Sequence, residues 1–148
     1  MYAQRLQDQM VALVRAFGLH RPDQTPCGQP VGVSAAHALM ELAQEAPLSH
    51  GELARRLRLE KSTVSRLVKQ LEQRGWVQQA RDSLDGRVVR LALTEQGRQA
   101  ADQLAAARAA KFARIAASLP AREQETVLHA LEVLMRAMND NGEKKDGI

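Results

Sequence analysis

A segment around residue 65 combines short hydroxyl side chains with basic side chains at helical spacing. Apolar residues recur at i, i+3, i+4 and i+7 from Val64, so one side of the predicted helix faces a core. Short polar groups near a helix start can approach base edges in the major groove of DNA, and basic residues further along suit phosphates. We therefore predict a DNA-reading helix over residues 62–74. Its predicted contacts are Ser62, Thr63, Ser65 and Arg66 with bases, and Lys69 and Arg74 with phosphates.

A second basic segment lies between two short runs rich in β-forming residues, at 76–80 and 88–93. The Asp85-Gly86 pair between them predicts a hairpin turn with a positive φ. Arg87 would then stand at the tip, where arginine can enter a narrow minor groove. Asp85 can pair with Arg87 and hold the tip in shape, although an exposed pair of this kind contributes only about 0 to 1 kcal/mol.

Two further arginines, Arg81 and Arg90, flank this hairpin. They are predicted to line the DNA backbone next to the tip. Cross-strand charge on an exposed sheet face is an equally weighted alternative for both.

The elements around these residues predict how they are positioned. Ser49 and Glu52 form a capping box that starts a short helix through Leu57, and a turn then leads into the reading helix. An earlier helix is expected to begin with Ser34 as its N-cap. Helix, tight turn, helix and hairpin within about 45 residues is the order of a winged helix-turn-helix. The predicted fold is mainly α (α+β), with this lobe over residues 33–94.

The terminal segments are predicted to be helices that form a dimer. Residues 1–20 and 95–138 carry apolar seams that a small DNA-binding lobe would leave without partners. Thr94 caps the helix that runs to Ser118, and Pro120 opens the last one. Residues 139–148 are expected to be a disordered tail of a single domain over 1–148. The predicted dimer contacts are Leu6, Met10, Leu13, Phe17, Val127, Leu131, Leu134 and Met138.

The charge of the chain is concentrated around the predicted lobe. The net charge is +4, and residues 55–98 hold eleven Lys and Arg against five Asp and Glu. On pattern alone, the outward face of the reading helix would be an ordinary solvated surface. The local charge, the capping box and the hairpin together favour double-stranded DNA as partner instead. The low aromatic content, 3%, argues against a binder of single strands.

Other classes of protein find little support in the sequence. The single cysteine, Cys27, excludes an internal disulfide and fits a cytoplasmic protein. No signal peptide, membrane span, nucleophile motif or phosphate-binding loop is recognisable, so neither a membrane partner nor an enzyme is predicted. Cys27 and the histidines lack the spacing of metal ligands, and we expect no metal and no cofactor. Cys27 lies in a Pro/Gly-rich loop, which favours an unreactive thiol over a redox sensor.

Four runs of the sequence together resemble the MarR family of bacterial transcriptional regulators. They are residues 52–57, residues 61–77, Asp85-Gly86-Arg87 and residues 93–97. The resemblance implies a homodimer with intertwined terminal helices, a palindromic operator and, often, a small-molecule or oxidant signal that relieves repression. The chain departs from the family at Gly86, where the first of two arginines is usual. It also departs at Glu60, which is a poor N-cap for the reading helix.

The sequence thus predicts a ligand-responsive homodimeric repressor that binds a pseudopalindromic operator. Its half-site centres would lie about 34 to 36 Å apart, one turn of DNA. An effector would sit between the dimer helices and the DNA-binding lobe. A redox-sensing regulator using Cys27 is one alternative, and a non-specific architectural DNA-binding protein is another. The latter predicts equal affinity for scrambled duplexes at fixed salt.

Overall fold

The computed structural model describes residues 1–143, which form six helices and three strands. The strands make one antiparallel sheet in the order β1-β3-β2. The elements are α1 (Tyr2–Phe17), α2 (Val33–Gln44), β1 (Leu48–Ser49), α3 (His50–Leu57), α4 (Lys61–Gln73), β2 (Val77–Arg81), β3 (Val89–Leu93), α5 (Glu95–Ser118) and α6 (Ala121–Glu143). The mainly α architecture with a winged helix-turn-helix is the predicted one.

Local signals define the helix-turn-helix. The predicted capping box starts α3: the Ser49 hydroxyl accepts the Glu52 N–H at 3.1 Å, and the Glu52 carboxylate accepts the Ser49 N–H at 2.8 Å. Arg58, with φ 55°, ends α3 in the left-handed region. The next helix, α4, begins after Glu60, whose side chain makes no capping hydrogen bond. Gly75, with φ 77°, lets the chain leave α4 and enter the sheet.

The core of the lobe is formed by aliphatic side chains from α2, α3, α4, the sheet and the start of α5. Burial of this kind is the main force that fixes each element. Because the apolar stripe of α4 is entirely inside, the rotation of α4 about its axis is set by the core. The largest fully buried side chains are Leu39, Leu42, Leu53, Val64, Val68, Leu71 and Leu91.

A hydrogen bond of Thr94 connects the start of α5 to the residue that follows α4 and its C-cap. The Thr94 hydroxyl donates to the Gly75 carbonyl and accepts the Gly97 N–H at 3.0 Å, so Thr94 caps α5 as predicted. A Cβ on Gly97 would lie 1.9 Å from the backbone oxygen of Trp76. Only glycine at position 97 lets the first turn of α5 lie this close to the backbone of Trp76.

One strand was not predicted, and two local predictions were wrong. The strand is β1, which at two residues is too short to show an alternating pattern. Gly32, not Ser34, is the N-cap of α2, and it supplies no side-chain bond. Gly86 does not have a positive φ, because residues 82–88 form a longer loop that needs no tight two-residue turn. The Asp82 backbone N–H donates to the Val88 carbonyl at 2.8 Å and closes that loop, and the Val88 N–H donates to the Asp85 carbonyl within it at 3.0 Å.

The chain divides into two compact units, Met1–Ala109 and the part from Ala110 onward, where a single domain over 1–148 was predicted. The core described above lies in the first unit. Within α6, residues 121–142 include no buried residue. The predicted disordered tail is wrong for residues 139–143, which continue α6 to Glu143. Four of those five residues are polar and one is glycine, but none is proline, so the helix can continue through them. Residues 144–148 of that prediction lie outside the described residues.

Candidate nucleic-acid interface

The outward side of α4 carries the predicted base contacts. Ser62, Ser65, Arg66 and Lys69 are exposed, and Thr63 is half-buried. We call the four exposed residues the reading face. Among residues 1–143, neither Arg66 nor Lys69 has an ion-pair partner. Both cations are therefore available to an external anion.

Arg74 follows the last residue of α4 and lies beside the sheet. Its guanidinium carbon is 4.6 Å from the centre of the Trp76 ring, a cation–π contact. The ring lies against one side of the guanidinium, and the Arg74 side chain remains exposed. Among residues 1–143, no carboxylate forms an ion pair with it.

The tip of the loop at residues 82–88, the wing loop, presents Arg87. This side chain is 93% exposed, and its Nε lies 3.2 Å from Oδ1 of Asp85. The same oxygen accepts the Arg87 backbone N–H at 3.1 Å, so the predicted Asp85–Arg87 pair forms. Arg81 acts on the same loop, because its Nη1 donates to the Gly86 carbonyl at 2.7 Å.

Arg90 is placed differently from the other arginines. It is only 32% exposed, and its Nε lies 3.0 Å from Oδ2 of Asp82 while its Nη1 lies 3.2 Å from Oε2 of Glu52. Neither carboxylate was predicted as a partner of Arg90. Glu52 is 38 residues away along the chain, and the two meet only because β1 pairs Ser49 with Arg90 in the sheet.

The electrostatics of this cluster favour its charged form. The Ser49 backbone N–H lowers the pKa of the Glu52 carboxyl, with a further contribution from Arg90. The Leu84 backbone N–H lowers the pKa of Asp82, and the hydrogen bond from Arg90 lowers it further. The two carboxylates raise the pKa of Arg90, chiefly through Asp82. All three groups are therefore ionised at neutral pH.

The predicted dimer residues lie on apolar faces that are not buried in the described chain. In α1, Leu6 and Leu13 are exposed, and Met10 and Phe17 are half-buried. No residue of α1 is buried. In α6, Leu131 and Met138 are exposed, and Val127 and Leu134 are half-buried.

A partly open cavity of about 450 Å³ lies in the first unit, against the inner part of α4. Its size falls within the range of pockets that hold small molecules. The residues around it come from the loop after α1, the start of α2, the second half of α4 and the residue that follows α4. They include Leu19, Arg21, Val31, Ser34, Gln70 and Arg74.

The surroundings of the cysteine and of one histidine are defined in the structure. Cys27 is half-buried, with its Sγ 2.9 Å from Oγ1 of Thr25. Burial and the nearby Arg108 lower the pKa of His37. Within residues 1–143, no three His, Cys, Asp or Glu side chains are grouped so that they could hold a metal ion. The same residues contain no helix with the length and apolar character needed to span a membrane.

Known proteins share both the sequence pattern and the fold. A sequence model of the MarR family matches residues 30–88. A helix-turn-helix transcriptional regulator of Mycobacterium bovis is 33% identical over 113 residues, which are 75% of this chain and 77% of that protein. The transcriptional repressor MdtR of Bacillus subtilis is 26% identical over 136 residues, covering 90% of this chain and 88% of the repressor.

A solved structure extends the likeness to a protein held on DNA. Streptococcus pneumoniae FabT, crystallised in complex with DNA, superposes with a TM-score of 0.76. The match covers 93% of this chain and 98% of FabT, at 19% identity. At that identity, the likeness establishes the shared fold.

Proposed function

Because the chain belongs to the MarR family of transcriptional regulators, we propose that it is a sequence-specific repressor that reads double-stranded DNA with α4. The reading face enters the major groove, with Arg66 as the main contact to guanine and Lys69 and Arg74 on phosphates. The wing loop places Arg87 at the minor groove. The repressor role is supported by the likeness to MdtR. We infer a cytoplasmic location from the proposed action on DNA.

One observation carries this proposal: α4 buries its whole apolar stripe and leaves two unpaired cations among hydroxyl groups on its outer side. An ordinary surface helix commonly pairs its charges with neighbours three or four residues away. Here Arg66 and Lys69 lack such partners among residues 1–143. The excess of basic residues over 55–98 adds positive charge to the same lobe.

The proposed working form is a homodimer. Large apolar side chains on α1 and on α6 are exposed, and burying them against a second copy would remove that surface from water. A twofold dimer has two reading helices, so its operator would be pseudopalindromic, with half-site centres about 34 to 36 Å apart. Analytical ultracentrifugation of the purified chain tests the dimer directly.

The proposal includes a small-molecule effector, for which the cavity against α4 is the candidate site. A molecule bound there would touch the loop after α1, α2 and the reading helix together, so it would bias the position of α4. A panel of small molecules added to the protein–DNA complex should include one that releases the DNA. The same compound should fail with Ser34→Trp, which fills the cavity from an exposed position.

The main experiment is selection from random duplexes with the purified protein. We expect a recovered palindrome whose half-sites contain a guanine that the Arg66→Ala variant no longer selects. Equal affinity for the recovered sequence and a scrambled duplex at fixed salt would instead identify a non-specific DNA binder.

A further inference from the structure

Arg90 makes a bridge between two parts of the DNA-binding lobe. One edge of its guanidinium meets Asp82, at the start of the wing loop, and another meets Glu52, in the capping box of α3. Each carboxylate also accepts a backbone N–H: that of Leu84 for Asp82 and that of Ser49 for Glu52. Each of the two carboxylates that Arg90 contacts is thus also hydrogen-bonded to the backbone. Through them, Arg90 joins the wing loop to the helix-turn-helix.

From this geometry we propose that Arg90 is a positioning residue that holds the wing loop against α3, and that it does not bind DNA phosphate. This inference rests on the proposed function, since it assigns a role within the same DNA-binding surface. It replaces the expectation that Arg90 lines the DNA backbone.

The comparison with Arg87 supports this role. Arg87 is 93% exposed and has one carboxylate partner, whereas Arg90 is 32% exposed and has two. To reach a phosphate, Arg90 would have to break both of its charge-assisted hydrogen bonds and leave two carboxylates facing the DNA. A planar guanidinium suits a bridge because it can bond two partners in fixed directions at once.

The bridge acts on DNA binding through the tip of the wing. Arg87 lies in the loop that begins at Asp82, and the hydrogen bond from the Asp82 N–H to the Val88 carbonyl closes that loop. When Arg90 holds Asp82, the loop has one position relative to α3 and hence to the neighbouring α4. Without the bridge, Arg87 would have to be ordered when DNA binds, and affinity would fall.

The first test uses two variants for which the two roles predict opposite results. Asp82→Asn keeps an acceptor for the Leu84 N–H but removes the charge that holds Arg90. A positioning role predicts that affinity for the selected operator falls by about two- to tenfold. A phosphate-binding role predicts stronger binding, because Arg90 would be freed and a negative charge removed. Arg90→Lys should also weaken binding, since an ammonium cannot replace the two-sided bridge, whereas a phosphate contact would tolerate lysine.

The second test asks whether the effect passes through Arg87. In an Arg87→Ala background, Arg90→Met should change affinity and salt dependence little, because the tip contact is already gone. If Arg90 contacted phosphate independently, Arg90→Met would reduce operator affinity as much in this background as in the wild type. It would also lower the salt slope by about a further 0.9. Three results would each overturn the proposal. They are stronger operator binding by Asp82→Asn, wild-type affinity for Arg90→Lys, and losses of affinity from Arg90→Met and Arg87→Ala that add fully.

The wild-type protein separates this inference from the proposed function. If the wild type does not distinguish its selected operator from a scrambled duplex, the proposed function fails. If it does, and the variants show the pattern of a phosphate contact, only the role of Arg90 fails. Glu52→Gln is the matched partner variant: it keeps an acceptor for the Ser49 N–H and should weaken operator binding as Asp82→Asn does.

Discussion

The reading face and the wing loop both present arginine to solvent, but different forces hold them in place. Behind the reading face, four aliphatic residues of α4 are buried in the core. The wing loop has no such support: Leu84 within it is 95% exposed, and the loop is held by hydrogen bonds and by ion pairs of Asp82 and Asp85. The helix is thus fixed by the fold itself, and the wing by a few polar contacts at the surface.

The largest difference should appear in stability. Leu71→Ala removes a fully buried side chain behind the reading face and should lower the free energy of unfolding by about 2–5 kcal/mol. Leu84→Ala makes the same chemical change in the wing loop and should alter it by less than about 0.5 kcal/mol. Urea unfolding followed by circular dichroism measures both. Similar losses for the two variants would contradict the contrast between the regions.

The next effect concerns DNA. Arg66→Ala should cost about 1–3 kcal/mol of operator binding and relax the preference for one base, because a direct base contact is lost. Arg87→Ala should weaken binding to all duplexes to a similar degree and lower the salt slope by about one. Titrations at several salt concentrations, with the operator and with single-base variants, separate the two patterns. A change of base preference for Arg87→Ala alone would reverse the assigned roles.

A smaller effect is expected at the start of α4. Glu60 is the N-cap and supplies no side-chain bond to the first turn. Glu60→Ser should provide one and stabilise the lobe by about 0.5–1 kcal/mol. Thermal unfolding measures the gain, and Ser49→Ala, which removes the existing cap of α3, is the opposite control. No gain from Glu60→Ser would mean that the first turn of α4 already has another partner.

The smallest effect is a difference in pH response. The pKa values of Asp82 and Glu52 are lowered in the folded chain, from about 3.8 and 4.5 respectively. Their contribution is therefore complete above those pH values and is lost as the pH falls through the lower folded values. The amide NMR signals of residues 82–88 should shift in that range before those of Val64, Leu67 and Val68, because the buried stripe of α4 contains no titratable group. Simultaneous changes in both regions would show that the wing depends on the core as α4 does.

The same contrast explains what the sequence could predict. Helical periodicity located α4 to within one residue at each end, and the capping box of Ser49 and Glu52 was recognised from two residue types at the right spacing. Such local patterns record which side of an element is buried. The Asp85–Arg87 pair was predictable for the same reason, since its members are two residues apart.

The partners of Arg90 could not be predicted in this way. The contact with Glu52 depends on the register of β1 with β3, and β1 has only two residues. The contact with Asp82 depends on the register of β2 with β3 and on the course of the loop between them. The loop conformation at Gly86 was also mispredicted, because a dipeptide favours a turn type only when the loop is short enough to require it. Side-chain partners and loop conformations of this kind depend on contacts between segments that are distant in the sequence, and local residue patterns do not specify those contacts. The dimer faces on α1 and α6 remain predictions.

The most direct test of the account is selection from random duplexes by the wild type and Arg66→Ala in parallel. The wild type should recover a pseudopalindrome with half-sites about one DNA turn apart, and Arg66→Ala should recover the same spacing with one position in each half-site degenerate. Identical base preferences for the two proteins would contradict the assignment of α4 as the reading helix through Arg66. Recovery of no common sequence by the wild type would contradict sequence-specific binding altogether.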